Sequence, residues 1–136
     1  MGRRRKAYSV YIAEDRVFDG TRHSIPVGLG AMREIAARYG VDRVDYRPRC
    51  RGRDTGGTYY PFIPGRQDER IMIGRDAGVY VLLHEIAHAL TRPIDRGHGA
   101  AWRAAYVKLV EIEISAWWAR RLRRAFRLRG DKEFSS

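Results

Sequence analysis

The sequence is short of cysteine, of acidic residues and of long apolar runs. A single cysteine, Cys50, excludes an internal disulfide. It sits in an arginine-rich segment far from other metal-ligating residues and reads as structural or incidental. No apolar run approaches the ~18 residues that mark a membrane-crossing helix, so no membrane span is expected. The start, Met1 to Lys6, imitates the basic head of a signal peptide, but Glu14 and Asp15 cut the following stretch short. Export is therefore not expected, and the cytoplasm is the expected location. Asp and Glu number 16 against 27 Lys and Arg, leaving a formal net charge of +11. Such an excess suits a polyanionic partner, DNA or RNA first, with a merely solvated basic surface as the plain alternative.

What is present centres on His84-Glu85-Ile86-Ala87-His88, an HExxH sequence. Residues four apart share one face of a helix, so His84 and His88 can put two imidazoles on one Zn²⁺. Glu85, beside the first histidine, could reach a zinc-bound water without itself being a ligand. Zinc lowers the pKa of that water and the carboxylate takes its proton. The flanks Val79–Leu83 and Ala89–Leu90 are almost wholly apolar, as in a helix buried all round. Two buried histidines satisfied by hydrogen bonds would be the bland alternative, but a buried Glu beside them asks for a further reason.

The chain length suits one domain over residues 1–136, with a basic tail at 1–6 and a basic C-terminal extension at 120–136. Tyr8–Ala13 has the aromatic and β-branched content of a strand. Glu14–Ser24 reads as a loop, in which His23 is expected to be solvated. A helix is expected from Pro26 to Tyr39, ended by Gly40. Further strands are expected over Val41–Cys50, Thr58–Ile63 and Glu69–Ile73, the last two as a hairpin. The HExxH helix should run from Ala77 to Leu90, and Thr91-Arg92-Pro93 should stop it. From Gly99 to Arg129 the pattern is helical, with a bend expected near Ser115 and Ala116. The whole predicts an α+β fold: a small, mostly antiparallel sheet packed on an N-terminal helix, the HExxH helix and a long C-terminal helix.

A catalytic zinc site usually has three protein ligands and an open position. His98, flanked by Gly97 and Gly99, is the favoured third ligand; Asp95, Glu111 and Glu113 are the alternatives. The spacing departs from the metzincin pattern HExxHxxGxxH. Tyr106, Tyr80 and Arg75 are candidate donors to an oxyanion. The strand Glu69–Ile73 could hold an extended peptide by edge pairing. Basic residues at the two ends, Arg3, Arg4, Arg5 and Lys6 and then Arg120, Arg121, Arg123, Arg124 and Arg127, are the candidate nucleic-acid contacts.

Val81 to Leu90 around the HExxH, followed by Gly97-His98-Gly99-Ala100-Ala101-Trp102, resembles SprT-like zinc metallopeptidases. The nearer resemblance is to a small metallohydrolase family of actinobacteria and their phages, which would place a phage-encoded chain in the host cytoplasm. The resemblance implies a zincin-like fold with one zinc per chain on His84, His88 and His98, and Glu85 as base. SprT-like proteins often act on proteins bound to DNA. Ala100-Ala101 stands where the family often has Pro-Glu, and no cysteine-rich zinc ribbon follows. The expected function is a zinc metallopeptidase acting on polypeptides, including nucleic-acid-associated ones. The alternatives are a basic DNA- or RNA-binding module with a structural or vestigial zinc site, and a zinc hydrolase for a non-peptide bond. Oligomeric state is not written in the sequence.

Overall fold

A computed structural model of the chain describes the backbone of residues 2–128 and the side chains of residues 10–127. The fold is α+β, with five α-helices and a three-stranded mixed sheet. The helices are α1 (Gly2–Phe18), α2 (Leu29–Ala37), α3 (Val79–Thr91), α4 (Ala100–Glu113) and α5 (Ala116–Leu128). The strands are β1 (Val44–Tyr46), β2 (Gly57–Tyr60) and β3 (Arg70–Ile73).

Helix α1 corrects the expected start of the chain. Tyr8–Ala13, expected as a strand, is helical, and so is the first part of the expected loop Glu14–Ser24. Buried Val10, Ala13, Glu14, Val17 and Phe18 recur at steps of three and four, the period of a helix face. Burial of that stripe outweighs the strand propensity of the individual residues. The backbone of Arg3 to Lys6, expected as a tail, continues α1, while their side chains lie outside those described. After α1, Arg22–Ser24 forms one 3-10 turn, capped by Thr21 Oγ1 accepting the His23 N–H.

The sheet runs β1-β3-β2. β3 pairs in parallel with β1, Val44 opposite Ile71, and antiparallel with β2, Gly57 opposite Ile73. The sheet is therefore mixed rather than mostly antiparallel, although the expected hairpin of β2 and β3 is there. With neighbours on both sides, β3 has no edge to offer a peptide, contrary to expectation. The edge strand that packs on α3 is β2. A Cβ at Gly57 would come within 3.2 Å of Glu85 Cγ and 3.0 Å of Ile73 Cδ1, so any side chain there would push on Glu85 and Ile73.

α3 is buried almost all round, from Tyr80 to Ala87, between α4 on one side and β2 and β3 on another. The expected bend in the C-terminal helix is a full break. Ile114 leaves helical geometry at φ −114° and ψ −80°, and Ser115 Oγ accepts the Trp118 N–H at 3.3 Å to cap α5. α5 buries Ala119, Leu122 and Phe126 and packs on α1 and α4. Its five arginines face outward. Residues 129–136, the rest of the expected basic extension, lie outside those described. Among the described residues, no helix is long and apolar enough to cross a membrane.

Candidate metal centre

One turn of α3 separates His84 from His88, and their Nε2 atoms lie 3.3 Å apart. The loop after α3 turns back and brings His98 Nε2 to 3.1 Å from His84 Nε2. Asp95 shapes that loop. Its carboxylate accepts the N–H of Gly97 at 2.9 Å and of Trp102, at the start of α4, at 3.4 Å. A Cβ at Gly99 would lie 2.5 Å from Asp95 Oδ2, so a side chain there would displace the Asp95 carboxylate.

The three histidines could together hold one metal ion. Nitrogens bound tetrahedrally at ~2.0–2.1 Å from an ion stand ~3.3–3.4 Å from one another, close to the observed 3.1 and 3.3 Å. Protonation also fits a ligand role. Burial, reinforced by His84, pushes His88 down to about 3. Burial and His84 likewise push His98 down to about 4. Both imidazoles are thus neutral near pH 7, with lone pairs to give.

His84 is held differently. Burial disfavours its charged form, but the Glu14 carboxylate outweighs burial and raises its pKa. Its Nδ1 lies 2.5 Å from Glu14 Oε1. With the proton on Nδ1, donated to Glu14, the Nε2 lone pair faces the other two rings. Glu14 is itself buried and is also hydrogen-bonded to the fully buried Tyr106 hydroxyl. Sequence reasoning misses Glu14, because it places the residue in a loop. The available signal is a carboxylate on the apolar stripe of α1.

Trp102 makes the floor. Its ring centroid is 4.6, 5.2 and 4.5 Å from those of His84, His88 and His98, and its Nε1 donates to the His84 carbonyl at 3.3 Å. Tyr11, also missed as part of the expected strand, stacks on His84 at 5.7 Å and 10° and meets His98 edge-on. Glu85 is 6 % exposed, and burial raises its pKa above the ordinary glutamate value against the opposing pull of His84. The Tyr59 backbone N–H reaches its carboxylate.

His84, Glu85, His88, Tyr11 and Tyr59 border a cleft of about 390 Å³, whose lining does not include His98 or Trp102. α3 supplies His84, Glu85 and His88, β2 supplies Gly57 to Tyr59, and Tyr11 closes one side. Arg92 and Arg96 border it beyond His88. The arrangement puts a carboxylate and two of the three histidines on one cleft, with His98 Nε2 3.1 Å from His84 Nε2, a donor set that could serve hydrolysis with an activated water.

The other candidates lie elsewhere. Glu111 pairs with Lys108 at 3.3 Å, and Glu113 pairs with Arg38 and Tyr39. Neither they nor Asp95 join the histidine cluster. Of the expected oxyanion donors, Tyr106 is buried beneath the site, Tyr80 stacks on Phe18, and Arg75 lies 4.7 Å over the Tyr46 ring. None borders the cleft. His23, expected to be solvated, is partly exposed and packs one side against Trp118 and Phe18, away from the histidine cluster. Cys50 is exposed and remote from the histidines. Arg120, Arg121, Arg123, Arg124 and Arg127 share the outer side of α5. No protein-family model, curated protein or solved structure matches this chain.

Proposed function

We propose that this chain is a zinc-dependent hydrolase of the zincin type, SprT-like in its motif, that cleaves peptide bonds. The observation that carries the reading is the set of three histidine nitrogens, with His84 Nε2 3.3 and 3.1 Å from those of His88 and His98, and with His84, His88 and a buried glutamate lining one cleft. When bound, zinc supplies a Lewis acid for the scissile carbonyl and lowers the pKa of water. Glu85 removes the proton from the attacking water and returns it to the leaving amine, a role its place beside His84 on the cleft favours. Glu14 is a positioning residue: it holds the His84 ring and its tautomer. Tyr11 is the hydroxyl best placed to meet a developing oxyanion, since Tyr59 gives its own to Glu69 at 2.5 Å. An extended substrate would lie along β2, the edge strand, so unfolded segments are the expected substrates.

Elemental analysis of protein purified without added metal tests the centre. One zinc per chain is expected in the wild type, and much less in His98→Ala. Glu85→Gln should keep its zinc and its fold but cleave an unfolded labelled protein ~10²–10⁴-fold more slowly. Wild type that takes up no zinc even when it is supplied, or Glu85→Gln that cleaves at the wild-type rate, would sink the reading.

A second reading is favoured by α5. Its residues Ala116–Leu128 hold five arginines and no acid, and half-exposed Trp117 lies 4.8 Å beneath the Arg121 guanidinium. Its apolar side is committed to the core, which leaves phosphate contact rather than membrane insertion as the use of its arginines. The chain would then be a cytoplasmic DNA- or RNA-binding module with a structural or vestigial zinc. If both readings hold, the substrates are nucleic-acid-associated proteins. Glu85→Gln separates them, because a pure binding module has no turnover to lose.

A further inference from the structure

We propose that Arg92 and Arg96 form a carboxylate-binding subsite of the cleft, selecting polypeptides that present an acidic side chain or a free C-terminus beside the reacting bond. The proposal deepens the peptidase reading and rests on it.

Placement comes first. His84, His88 and Arg92 follow one another at four-residue steps, so Arg92 stands one turn past the second histidine on the same side of α3. It occupies the helix C-cap, and Arg96 follows in the loop that carries His98. Both border the cleft that contains His84, Glu85 and His88. A substrate at the histidine cluster therefore passes both guanidinium groups.

Charge comes second. Arg92 is half-buried, where an unmatched cation is more costly than in open water. The carboxylates of this region have hydrogen-bond donors other than the two arginines. Glu69 takes the Tyr59 hydroxyl, Asp95 takes the N–H groups of Gly97 and Trp102, and Glu85 takes the Tyr59 N–H. Among the described residues, no ion pair or hydrogen bond joins Arg92 or Arg96 to an acid. Elsewhere this chain does pair arginines that face acids, as in Arg47 with Asp54 and Arg33 with Asp45. A guanidinium presents a planar fork of donors that matches a carboxylate at two points. Phosphate would satisfy the same donors. The cleft volume of about 390 Å³ suits a side chain or chain end rather than a nucleic-acid backbone, and the arginine-rich surface of α5 belongs to a different element.

Binding to the zinc-loaded full-length Glu85→Gln variant tests this without turnover; the metal-free protein serves if zinc does not bind. The probes are fluorescein-labelled, alanine-rich hexapeptides in matched pairs. One series is amidated and carries Glu or Gln at successive positions; a further pair carries Gln with a free or an amidated C-terminus. Fluorescence anisotropy should show about tenfold tighter binding for a Glu position or for the free C-terminus, and the series that responds identifies the source of the carboxylate. Arg92→Gln and Arg96→Gln, each added to Glu85→Gln, should remove that gain while leaving zinc content and affinity for the neutral peptides unchanged. Three results overturn the proposal: no carboxylate peptide bound better than its neutral partner, a gain that survives either arginine substitution, or a short single-stranded oligonucleotide that alone depends on the two arginines. Failure of the wild type to cleave any peptide would instead overturn the peptidase reading and leave the binding result standing.

Discussion

Replacing Glu14 by Gln isolates one link in the proposed metal centre. The amide has nearly the same shape and its oxygen can still accept the His84 Nδ1–H, while the Tyr106 hydroxyl, which now meets an NH2, keeps the Tyr80 carbonyl at 3.4 Å as acceptor, so what is lost at His84 is charge rather than contact. Glu14 is 4 % exposed and sits 2.5 Å from His84, so solvent does not dilute the effect. A hydrogen bond to an ionised group contributes ~1.5–3 kcal/mol against ~0.5–1.5 for a neutral one. The difference, about 1–1.5 kcal/mol, is five- to tenfold in affinity. Losses of ~10–100-fold are typical when the carboxylate behind a histidine ligand is removed, which meets that range at its upper end. Zinc affinity is therefore expected to fall about tenfold in Glu14→Gln. Without metal, His84 can shed its proton, so no uncompensated charge is left and the melting temperature should move little. Competition against a chromophoric zinc chelator reads the first quantity and circular dichroism the second. Affinity within twofold of wild type, or a zinc loss that merely tracks loss of fold, would refute the reasoning.

Gly57→Val would press a branched side chain into Glu85 Cγ, 3.2 Å from where its Cβ would lie; a cost of ~1–3 kcal/mol is expected, seen as a lower melting temperature with disproportionate loss of turnover, and Gly57→Ala should fall between. For α5, the affinity for a labelled duplex should fall with salt by ~0.9 log units per log unit of salt for each phosphate neutralised, and Arg120→Glu with Arg124→Glu should flatten that slope by about two such contacts. An unchanged slope would remove α5 from any nucleic-acid interface. The Glu113 carboxyl gives a pH test. Burial raises it, but hydrogen bonds from Arg38 and Tyr39 outweigh burial and hold it below the ordinary glutamate value. A lowered carboxyl stabilises the fold above its unfolded pKa, and that share is lost as pH falls through the lowered value. Thermal melts from about pH 6 to 2 should thus show a shallower acid limb for Glu113→Gln, with the two proteins converging at the acid end.

The parts of the site carried by a single element were legible. HExxH on an apolar stretch predicts both the helix and its buried setting, and the glycines around His98 predict a tight return. A bend is read near Ser115 because the helical stretch is long for one helix; only the Trp118 N–H on the Ser115 Oγ shows that it caps a new helix. α1 was not legible in the same way. Tyr8 to Ala13 is short, and short apolar runs fit either period; the buried stripe becomes visible only when Glu14 is counted as an inward position. A charged residue among inward positions looks like the end of an element until its partner is known, and the partner, His84, is seventy positions away. Sheet order is hidden for a related reason: β2 and β3 are neighbours in sequence, but the parallel pairing of β1 with β3 depends on how the core closes.

α1 contributes two groups, Glu14 and Tyr11, to a centre otherwise built on α3 and the loop behind it. Thermodynamic linkage follows. An ion that binds only when Glu14 is docked adds its binding free energy to the docking of α1, and the two events become one equilibrium. Because α5 packs on α1, the same equilibrium reaches the far end of the chain. Chelation should then register well away from the histidines, as faster amide exchange in α1 and α5. A truncation that removes Glu14 would act less like trimming an end than like weakening the ion's own binding site.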